Sequence, residues 1–287
     1  MKRGPVVGRA GEMGVKPRAL VITAPGINCD AELAAAFDAA GAKPESILLG
    51  ALEREPSRID DFQLIGLPGG FSFGDDVAAG RIMAVLMRER IYPALAAAIE
   101  RGVPMICPCN GFQIAVQAGL LPGPVRGAWP REPATPSVAL CQNRTARFHD
   151  AWTRVTIPSG TRCVWTRGLQ LDHETGLLPS AHGEGRFITD PSTLAALQAN
   201  GQVAVCYAEG ENFNGSMDAI AGICDPSGLV FGLMPHPERF TRWTQHPWWT
   251  RLDPSQRAGE PLGLRMFRQA VRIAAEPAHR RSHVASA

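Results

Sequence analysis

One cysteine in this sequence has neighbours that can make it a nucleophile. Cys109 follows a short apolar run, residues 105–107, between Pro104 and Pro108, which is typical of the end of a buried strand. Residues 112–117, just beyond it, have helical spacing. A cysteine at the corner between a strand and a helix lies at the positive end of the helix dipole, where an anionic sulfur is stabilised. The sequence therefore predicts that Cys109 is a nucleophile.

A nucleophilic cysteine needs a base, and His236 is the candidate. It lies in Pro235-His-Pro-Glu-Arg239, where prolines on both sides disfavour a helix. We expect extended backbone here, which points His236 and Glu238, two residues apart, to the same side. The histidine would hold the thiolate and move protons, and the carboxylate would fix the imidazole tautomer. Cys109, His236 and Glu238 are therefore the predicted catalytic residues.

A zinc site is the competing chemistry, because the chain has Cys107-x-Cys109 and seven histidines. No second close Cys/His pair at metal-ligand spacing accompanies this motif in the sequence, so we expect no metal. The P-loop pattern and the Gly-x-Gly-x-x-Gly pattern are absent from the sequence. We therefore expect no cofactor in this chain and no binding of ATP or a dinucleotide by this chain alone.

Two further loops follow strand-like runs. The apolar run at residues 19–22 leads into the loop at 25–30, and the predicted strand at 62–67 leads into the loop at 68–76. The second loop begins with Gly69 and Gly70, and paired glycines let backbone N–H groups approach a ligand closely. An ordinary turn between a strand and a helix is the alternative interpretation of this loop.

The first half of the chain predicts a doubly wound, mostly parallel sheet. Strands are expected at 19–22, 47–49, 62–67 and 105–107, and a helix with an interruption near Pro93 is expected over 77–101. Alternating strands and helices of this kind form a parallel sheet with helices on both faces. Ligands bind such sheets beyond the carboxyl ends of the strands, which is where Cys109 and both loops would lie.

The second half of the chain has a different pattern. Short strand-like segments at 138–141, 152–157 and 163–165 have no long helices between them, which predicts a small antiparallel extension. The segments at 219–224 and 229–234 flank Asp225-Pro-Ser-Gly228 and predict a hairpin, and 261–275 predicts an amphipathic helix. We expect a single domain over residues 18–276, a flexible leader at 1–17 and a flexible basic tail at 277–287.

The composition excludes several classes of partner. The formal charge is +2, from 29 basic and 27 acidic residues spread along the chain, so we expect no nucleic acid partner. No apolar segment approaches the ~18 residues of a membrane span, so we expect no membrane partner. Seven dispersed cysteines, an odd number, are typical of a reduced chain, and we expect a cytoplasmic protein.

Seven motifs together resemble those of class I glutamine amidotransferases, a family with a flavodoxin-like fold. Three of them are similar to motifs of the glutaminase subunits of phosphoribosylformylglycinamidine synthases, which act in purine biosynthesis; these are Asn-Gly-Phe-Gln, His-Gly-Glu-Gly and Gly-Phe-Ser-Phe-Gly-Asp. The seven motifs are Pro25-Gly-Ile-Asn-Cys-Asp30, Gly69-Gly-Phe-Ser-Phe-Gly-Asp75, Cys109-Asn-Gly-Phe-Gln113, Asn143-Arg-Thr-Ala-Arg-Phe148, His182-Gly-Glu-Gly-Arg186, Asn214-Gly-Ser216 and Met234-Pro-His-Pro-Glu-Arg239.

The resemblance implies a role for each catalytic candidate. Cys109 would attack the side-chain amide of glutamine, giving a γ-glutamyl thioester and ammonia. His236 would protonate the leaving ammonia and then activate water, with Glu238 orienting the imidazole. The family usually has Gly-Val before the nucleophile, where this chain has Cys107-Pro108, and proline removes a backbone donor at this corner.

The same resemblance implies binding residues. Backbone N–H groups near Gly70 or Phe71 and at Asn110 would form the oxyanion hole. A further set would form the glutamine pocket or its docking rim, namely Gln113, Asn143 and residues 182–186.

The resemblance also implies partners. Ammonia would pass to a large synthetase subunit that uses ATP and Mg to convert formylglycinamide ribonucleotide to formylglycinamidine ribonucleotide, and a small bridging subunit would complete the complex. One alternative is the glutaminase subunit of another class I amidotransferase, such as one serving GTP or anthranilate synthesis. Another alternative is a non-catalytic regulatory module of the same fold.

Overall fold

The computed structural model of this chain describes residues 16–124 and 128–276. Nearly all of the expected leader and the whole of the expected tail at 277–287 lie outside the described residues, so both stay predictions. No helix in the described ranges is long and apolar enough to cross a bilayer.

A nine-stranded mixed sheet forms the centre, in the order β2-β1-β3-β4-β11-β10-β9-β6-β7, and β5 pairs with β8 in a separate two-stranded sheet. The strands are β1 (Arg18–Thr23), β2 (Lys43–Leu48), β3 (Leu64–Gly66), β4 (Met105–Pro108), β5 (Val138–Gln142), β6 (His149–Thr156), β7 (Leu177–His182), β8 (Glu184–Thr189), β9 (Val203–Tyr207), β10 (Ile220–Cys224) and β11 (Val230–Leu233).

The helices are α1 (Asp30–Ala40), α2 (Leu49–Arg54), α3 (Arg81–Arg90), α4 (Tyr92–Glu100), α5 (Asn110–Gln117), α6 (Pro191–Ala199) and α7 (Leu262–Ala275). Helices α1 to α5 follow strands of the parallel half, α6 lies between β8 and β9, and α7 follows the last strand. The predicted interruption near Pro93 is confirmed, because α3 and α4 are separated at Ile91 and Pro93 lies in the first turn of α4.

The α/β fold class is confirmed, with a parallel core formed by β2, β1, β3, β4 and β11. Parallel neighbours need crossover connections, which the helices of the first half supply. The antiparallel part is larger than the sequence predicts, since β10, β9, β6 and β7 extend the main sheet itself. The predicted hairpin at Asp225 to Gly228 joins β10 and β11.

Two strand predictions need correction. The second strand begins at Lys43, and α2 already begins at Leu49. This strand is an edge of the sheet, so polar residues are tolerated in it and the continuous apolar signal is lost. The segment 163–165 is not a strand, because a turn begins at residue 164 and runs to 168. Its apolar character comes from Trp165, which is fully buried and donates its indole N–H to the carbonyl of Leu229 at 3.0 Å.

Helix α7 covers one face of the sheet as its pattern predicts. Leu264, Phe267, Val271 and Ala274 on its apolar side are all buried. The ring of Phe267 meets the ring of Phe37 edge-on, with centroids 5.2 Å apart. The candidate site lies at the carboxyl ends of the parallel strands, where Gly69, Cys109 and His236 follow β3, β4 and β11.

Candidate active site

Cys109 occupies the turn between β4 and α5. Its backbone has φ +51° and ψ −111°, a region that residues with side chains rarely adopt. Its N–H donates to the carbonyl of Leu233 in β11 at 2.7 Å, which holds the turn against the neighbouring strand. The Cys109 sulfur lies 3.6 Å from the carbonyl oxygen of Ala181. Strain of this kind persists only where the surrounding structure fixes it, and it occurs often at functional residues.

Pro108 fits this corner because the backbone N–H groups of successive residues in a strand point to opposite neighbouring strands. The N–H groups of Met105 and Cys109 both donate to carbonyls of the β11 segment, from Leu229 and Leu233, at 3.0 and 2.7 Å. The nitrogen of Pro108 therefore points away from β11, toward β3. Strand β3 has already ended at Gly66, so the sheet loses no pairing with β11 through this proline.

His236 and Glu238 follow β11 directly. The expectation of extended backbone is wrong: His236 has φ −109° and ψ 84°, and Pro237–Arg239 forms one 3-10 turn. Proline is tolerated at the first position of a helical turn because its missing N–H would have no partner there. The expected contact nevertheless forms, with Nδ1 of His236 2.6 Å from Oε1 of Glu238. Both side chains are buried, so solvent does not compete for this hydrogen bond.

The side chains of Cys109 and His236 converge on Gly69. A Cβ atom placed on Gly69 would lie 2.9 Å from Cε1 of His236, 3.4 Å from Cβ of Cys109 and 3.2 Å from Sγ of Cys29. All three of these side chains line one cavity of about 400 Å³. Residues that are far apart in the chain therefore share a small space that exists because residue 69 has no side chain.

The surroundings of His236 favour its charged form. Burial by itself would lower the pKa of His236, but the charge of Glu238 and then the Cys109 sulfur outweigh burial, and the pKa lies well above its ordinary value. Because this pKa is raised, the imidazole of the folded site is protonated at neutral pH. A cationic imidazole beside a sulfur stabilises the thiolate, which is the reactive form of cysteine.

Two backbone N–H groups near Cys109 come from different elements, and Gly70, which carries one of them, lines the cavity. Gly70 has φ +139°, and a Cβ there would lie 2.7 Å from the backbone nitrogen of Asn28, so this position requires glycine. The N–H of Phe71 already donates to the carbonyl of Gly26 at 2.9 Å, which leaves Gly70 as the better of these two predicted donors. Asn110 is the first residue of α5, so its N–H has no partner within the helix.

The two predicted polar residues of the glutamine pocket lie at different places. Gln113 lines the cavity, and its amide nitrogen donates to the carbonyl of Glu184. Asn143 does not line the cavity but holds His182, which does. Its Nδ2 donates to the carbonyl of His182 at 2.8 Å, and its Oδ1 lies 3.2 Å from Nδ1 of His182. Burial, with smaller effects of the neighbouring histidines, lowers the pKa of His182 to about 3, so this ring is neutral.

Sequence reasoning passed over Cys29, which lines the cavity at the amino end of α1. Arg239 donates to its sulfur at 3.0 Å. Cys29, His236 and Glu238 offer atoms within 4.8 Å of one another, a grouping that could hold a metal ion. The guanidinium beside Cys29 disfavours a cation, and the hydrogen bond between His236 and Glu238 occupies two of the atoms. The loop at 25–30, at the end of a parallel strand, is the signal that could have identified this thiol.

Residues 70–74 also match the Gly-x-Ser-x-Gly pattern of serine hydrolases, which sequence reasoning missed. Ser72 is buried, and within the described part of the chain its hydroxyl has no hydrogen-bond partner. A serine nucleophile needs a base at its hydroxyl, so this match does not create a second nucleophile.

Taken together, the site offers a thiol, an acid–base pair and two backbone donors, which suits acyl transfer from an amide.

Comparison with known proteins gives consistent findings. A family model described as the CobB/CobQ-like glutamine amidotransferase domain matches residues 16–273. The phosphoribosylformylglycinamidine synthase subunit PurQ of Dehalococcoides mccartyi is 36% identical over 266 residues, which cover 90% of this chain and 98% of the relative.

Solved structures agree with the sequence comparison. The structure of PurLQS from Thermotoga maritima has a chain that is 31% identical to this one, with a TM-score of 0.66, over 90% of this chain and 99% of that chain. A glutamine amidotransferase from Thermotoga maritima is 13% identical with a TM-score of 0.50, over 92% of this chain and 100% of that chain, and shows likeness of fold alone.

Proposed function

This chain belongs to the CobB/CobQ-like glutamine amidotransferase family, and from that membership we propose that it is the glutaminase subunit of a phosphoribosylformylglycinamidine synthase. The relative that carries this name matches over almost its whole length. The observation that carries the chemistry is the meeting of Cys109 and His236 around Gly69, with Glu238 hydrogen-bonded to the imidazole. The chain hydrolyses glutamine to glutamate and ammonia.

The first step forms the thioester. The Cys109 thiolate attacks the carbonyl carbon of the glutamine side chain, a C–S bond forms, and the carbonyl electrons move onto oxygen. The N–H groups of Gly70 and Asn110 hold this oxyanion, and each such donor typically contributes about 3 kcal/mol to the transition state. His236 then gives its proton to the leaving nitrogen as the C–N bond breaks, and ammonia departs.

The second step releases glutamate. His236, now neutral, takes a proton from water, which attacks the γ-glutamyl thioester and displaces the Cys109 thiolate. Glu238 holds Nδ1 of His236 at 2.6 Å in both steps, so the same tautomer presents Nε2 to the reacting atoms.

The ammonia serves a separate subunit. The Thermotoga maritima chain that matches this one belongs to a structure of PurLQS, and that name supports two further kinds of subunit beside this one. We expect the large synthetase subunit to hold ATP and Mg and to aminate formylglycinamide ribonucleotide, and a small subunit to bridge the two. A cytoplasmic location stays a prediction.

Reconstitution tests this assignment. With glutamine as nitrogen source, the synthetase subunit should form formylglycinamidine ribonucleotide only when this chain is added, whereas free ammonia should support the reaction without it. If this chain instead supplied ammonia from glutamine to a synthetase that forms GTP or anthranilate, the alternative amidotransferase would be favoured. Failure of 6-diazo-5-oxonorleucine to label Cys109 would favour a non-catalytic module.

The Glu238→Gln variant should be slower and should have a shifted pH profile. Removing the charge that raises the pKa of His236 lowers that pKa, so the alkaline limb of kcat/KM should move to lower pH. The loss of the fixed tautomer should also lower kcat by roughly tenfold or more. Glutamate release measured from about pH 6 to about pH 10 checks both effects. The exposed Glu55→Gln variant is the control, and an unshifted profile in Glu238→Gln would contradict the pairing of Glu238 with the base.

A further inference from the structure

The two backbone donors proposed for the oxyanion come from different elements. Gly70 lies in the loop after β3, and Asn110 begins α5. An oxyanion can use both N–H groups only if the loop and the helix keep a fixed spacing. The structure contains a direct link between them in the side chain of Asn110, which is 1% exposed.

Both the oxygen and the nitrogen of the Asn110 carboxamide form hydrogen bonds. Its Oδ1 accepts the N–H of Ser72 at 3.2 Å, two residues after Gly70. Its Nδ2 donates to Oδ1 of Asp75 at 3.1 Å and to Oε1 of Gln113 at 2.9 Å. Asp75 in turn accepts the N–H of Gly80 at 3.2 Å. The Asn110 side chain therefore holds the 72–80 segment at Ser72 directly and at Gly80 through Asp75.

The orientation of the Asn110 amide follows from its neighbours. The carbonyl of Glu184 can only accept, so Gln113 must direct its amide nitrogen there and its Oε1 toward Asn110. Asn110 must then present Nδ2 to Gln113 and Oδ1 to the Ser72 N–H. Each of the two side-chain amides therefore has a single arrangement that satisfies all partners, which is the condition under which a buried polar network specifies geometry.

We propose that the side chain of Asn110 is a positioning residue that sets the spacing between the Gly70 and Asn110 N–H groups. The proposal rests on the proposed glutaminase function. The side chain touches neither substrate nor the reacting sulfur; it acts through the loop that carries Gly70 and through Gln113. Because the oxyanion exists only during the reaction, the effect of this spacing appears in kcat and little in KM.

The Asn110→Ala variant tests the proposal. Loss of a whole oxyanion donor typically costs about 10²- to 10³-fold in kcat, so a displaced donor should lower kcat for glutamine about 10- to 100-fold, with KM changed less than about threefold. Alkylation of Cys109 by iodoacetamide develops no oxyanion. Its rate should therefore stay within about twofold of wild type.

A pair of substitutions at positions 110 and 75 should restore kcat, which a purely structural role of Asn110 would not predict. Asn110→Asp places a carboxylate against Asp75 and should be at least as slow as Asn110→Ala. Adding Asp75→Asn restores a donor opposite the new carboxylate and should recover kcat about threefold or more. Gln202→Ala is the matched control. Gln202 is likewise a buried side-chain amide, but its partners, the carbonyls of Pro122 and Cys224, do not line the cavity, whereas Asp75 and Gln113 do.

Two results would overturn the proposal: kcat of Asn110→Ala within about twofold of wild type, or alkylation and kcat falling together, which would mean that the whole corner has collapsed. Failure of the proposed function is distinguishable, because unmodified wild-type protein would then release no glutamate from glutamine. A melting temperature lowered equally in Asn110→Ala and Gln202→Ala, with kcat lost only in Asn110→Ala, is the expected pattern.

Discussion

In the Cys109→Ser variant, glutamine hydrolysis should fall by about three orders of magnitude or more, because a serine hydroxyl is far less acidic than a thiol and needs a strong base. The charge of Glu238, the largest of the effects that raise the pKa of His236, remains in this variant and favours the protonated imidazole, which cannot act as that base. The hydroxyl fits the space of the sulfur, so the fold should be retained. Glutamate release and the loss of a γ-glutamyl adduct by mass spectrometry measure the effect.

The other nearby thiols provide the controls. Cys29 shares the cavity and has Arg239 beside it, so it is the competing nucleophile. Cys107 is buried in the core, and burial raises the pKa of its thiol. Cys29→Ser and Cys107→Ala should both keep the adduct at Cys109. An inactive Cys29→Ser variant together with an active Cys109→Ser variant would show that the nucleophile is Cys29.

The second large effect is expected from Gly69→Ala, which should lower kcat about a hundredfold, since a displacement of about 1 Å in catalytic geometry has effects of that size. The added methyl would lie 2.9 Å from Cε1 of His236, closer than carbon atoms approach, so the imidazole or the β3 loop must move. The backbone of Gly69 is not in the left-handed region, so alanine adds no conformational strain there. The change is therefore a steric probe of the site.

Gly160→Ala is the matched control, because a Cβ at Gly160 meets nothing within 4 Å. This variant should keep wild-type kcat and melting temperature. Gly69→Ala should keep the sheet but lose both glutamine hydrolysis and fast alkylation of Cys109, since the imidazole no longer stabilises the thiolate. Full activity in Gly69→Ala would mean that the imidazole does not lie against Gly69 during the reaction.

Much of this site could be predicted from the sequence, because local pattern determines local structure. The breakers around residues 105–107 and the helical spacing after Cys109 predict a strand, a tight turn and a helix, and these elements form. The prolines around His236 predict a non-helical approach to the base, although the backbone there is a 3-10 turn and not extended.

One strand that the sequence did not reveal places both reacting groups. Pro179 lies inside β7 and argues against a strand, but β7 is an edge of the sheet, where proline is tolerated. The carbonyl of Pro179 accepts the N–H of His236 at 2.7 Å. The carbonyl of Ala181, two residues on, lies 3.6 Å from the sulfur of Cys109. The backbone of this edge strand thus contacts both the base and the nucleophile.

The sequence by itself determined which residue types are available for chemistry and at which turns they lie, since these depend on neighbours within a few positions. Only the tertiary structure decided that Gly69 leaves room for two thiols and an imidazole, that the Phe71 N–H already has a partner, and that the Asn110 side chain links the loop after β3 to α5. These features join residues from different strands. Their distances depend on the register and packing of the whole sheet, which no local pattern contains.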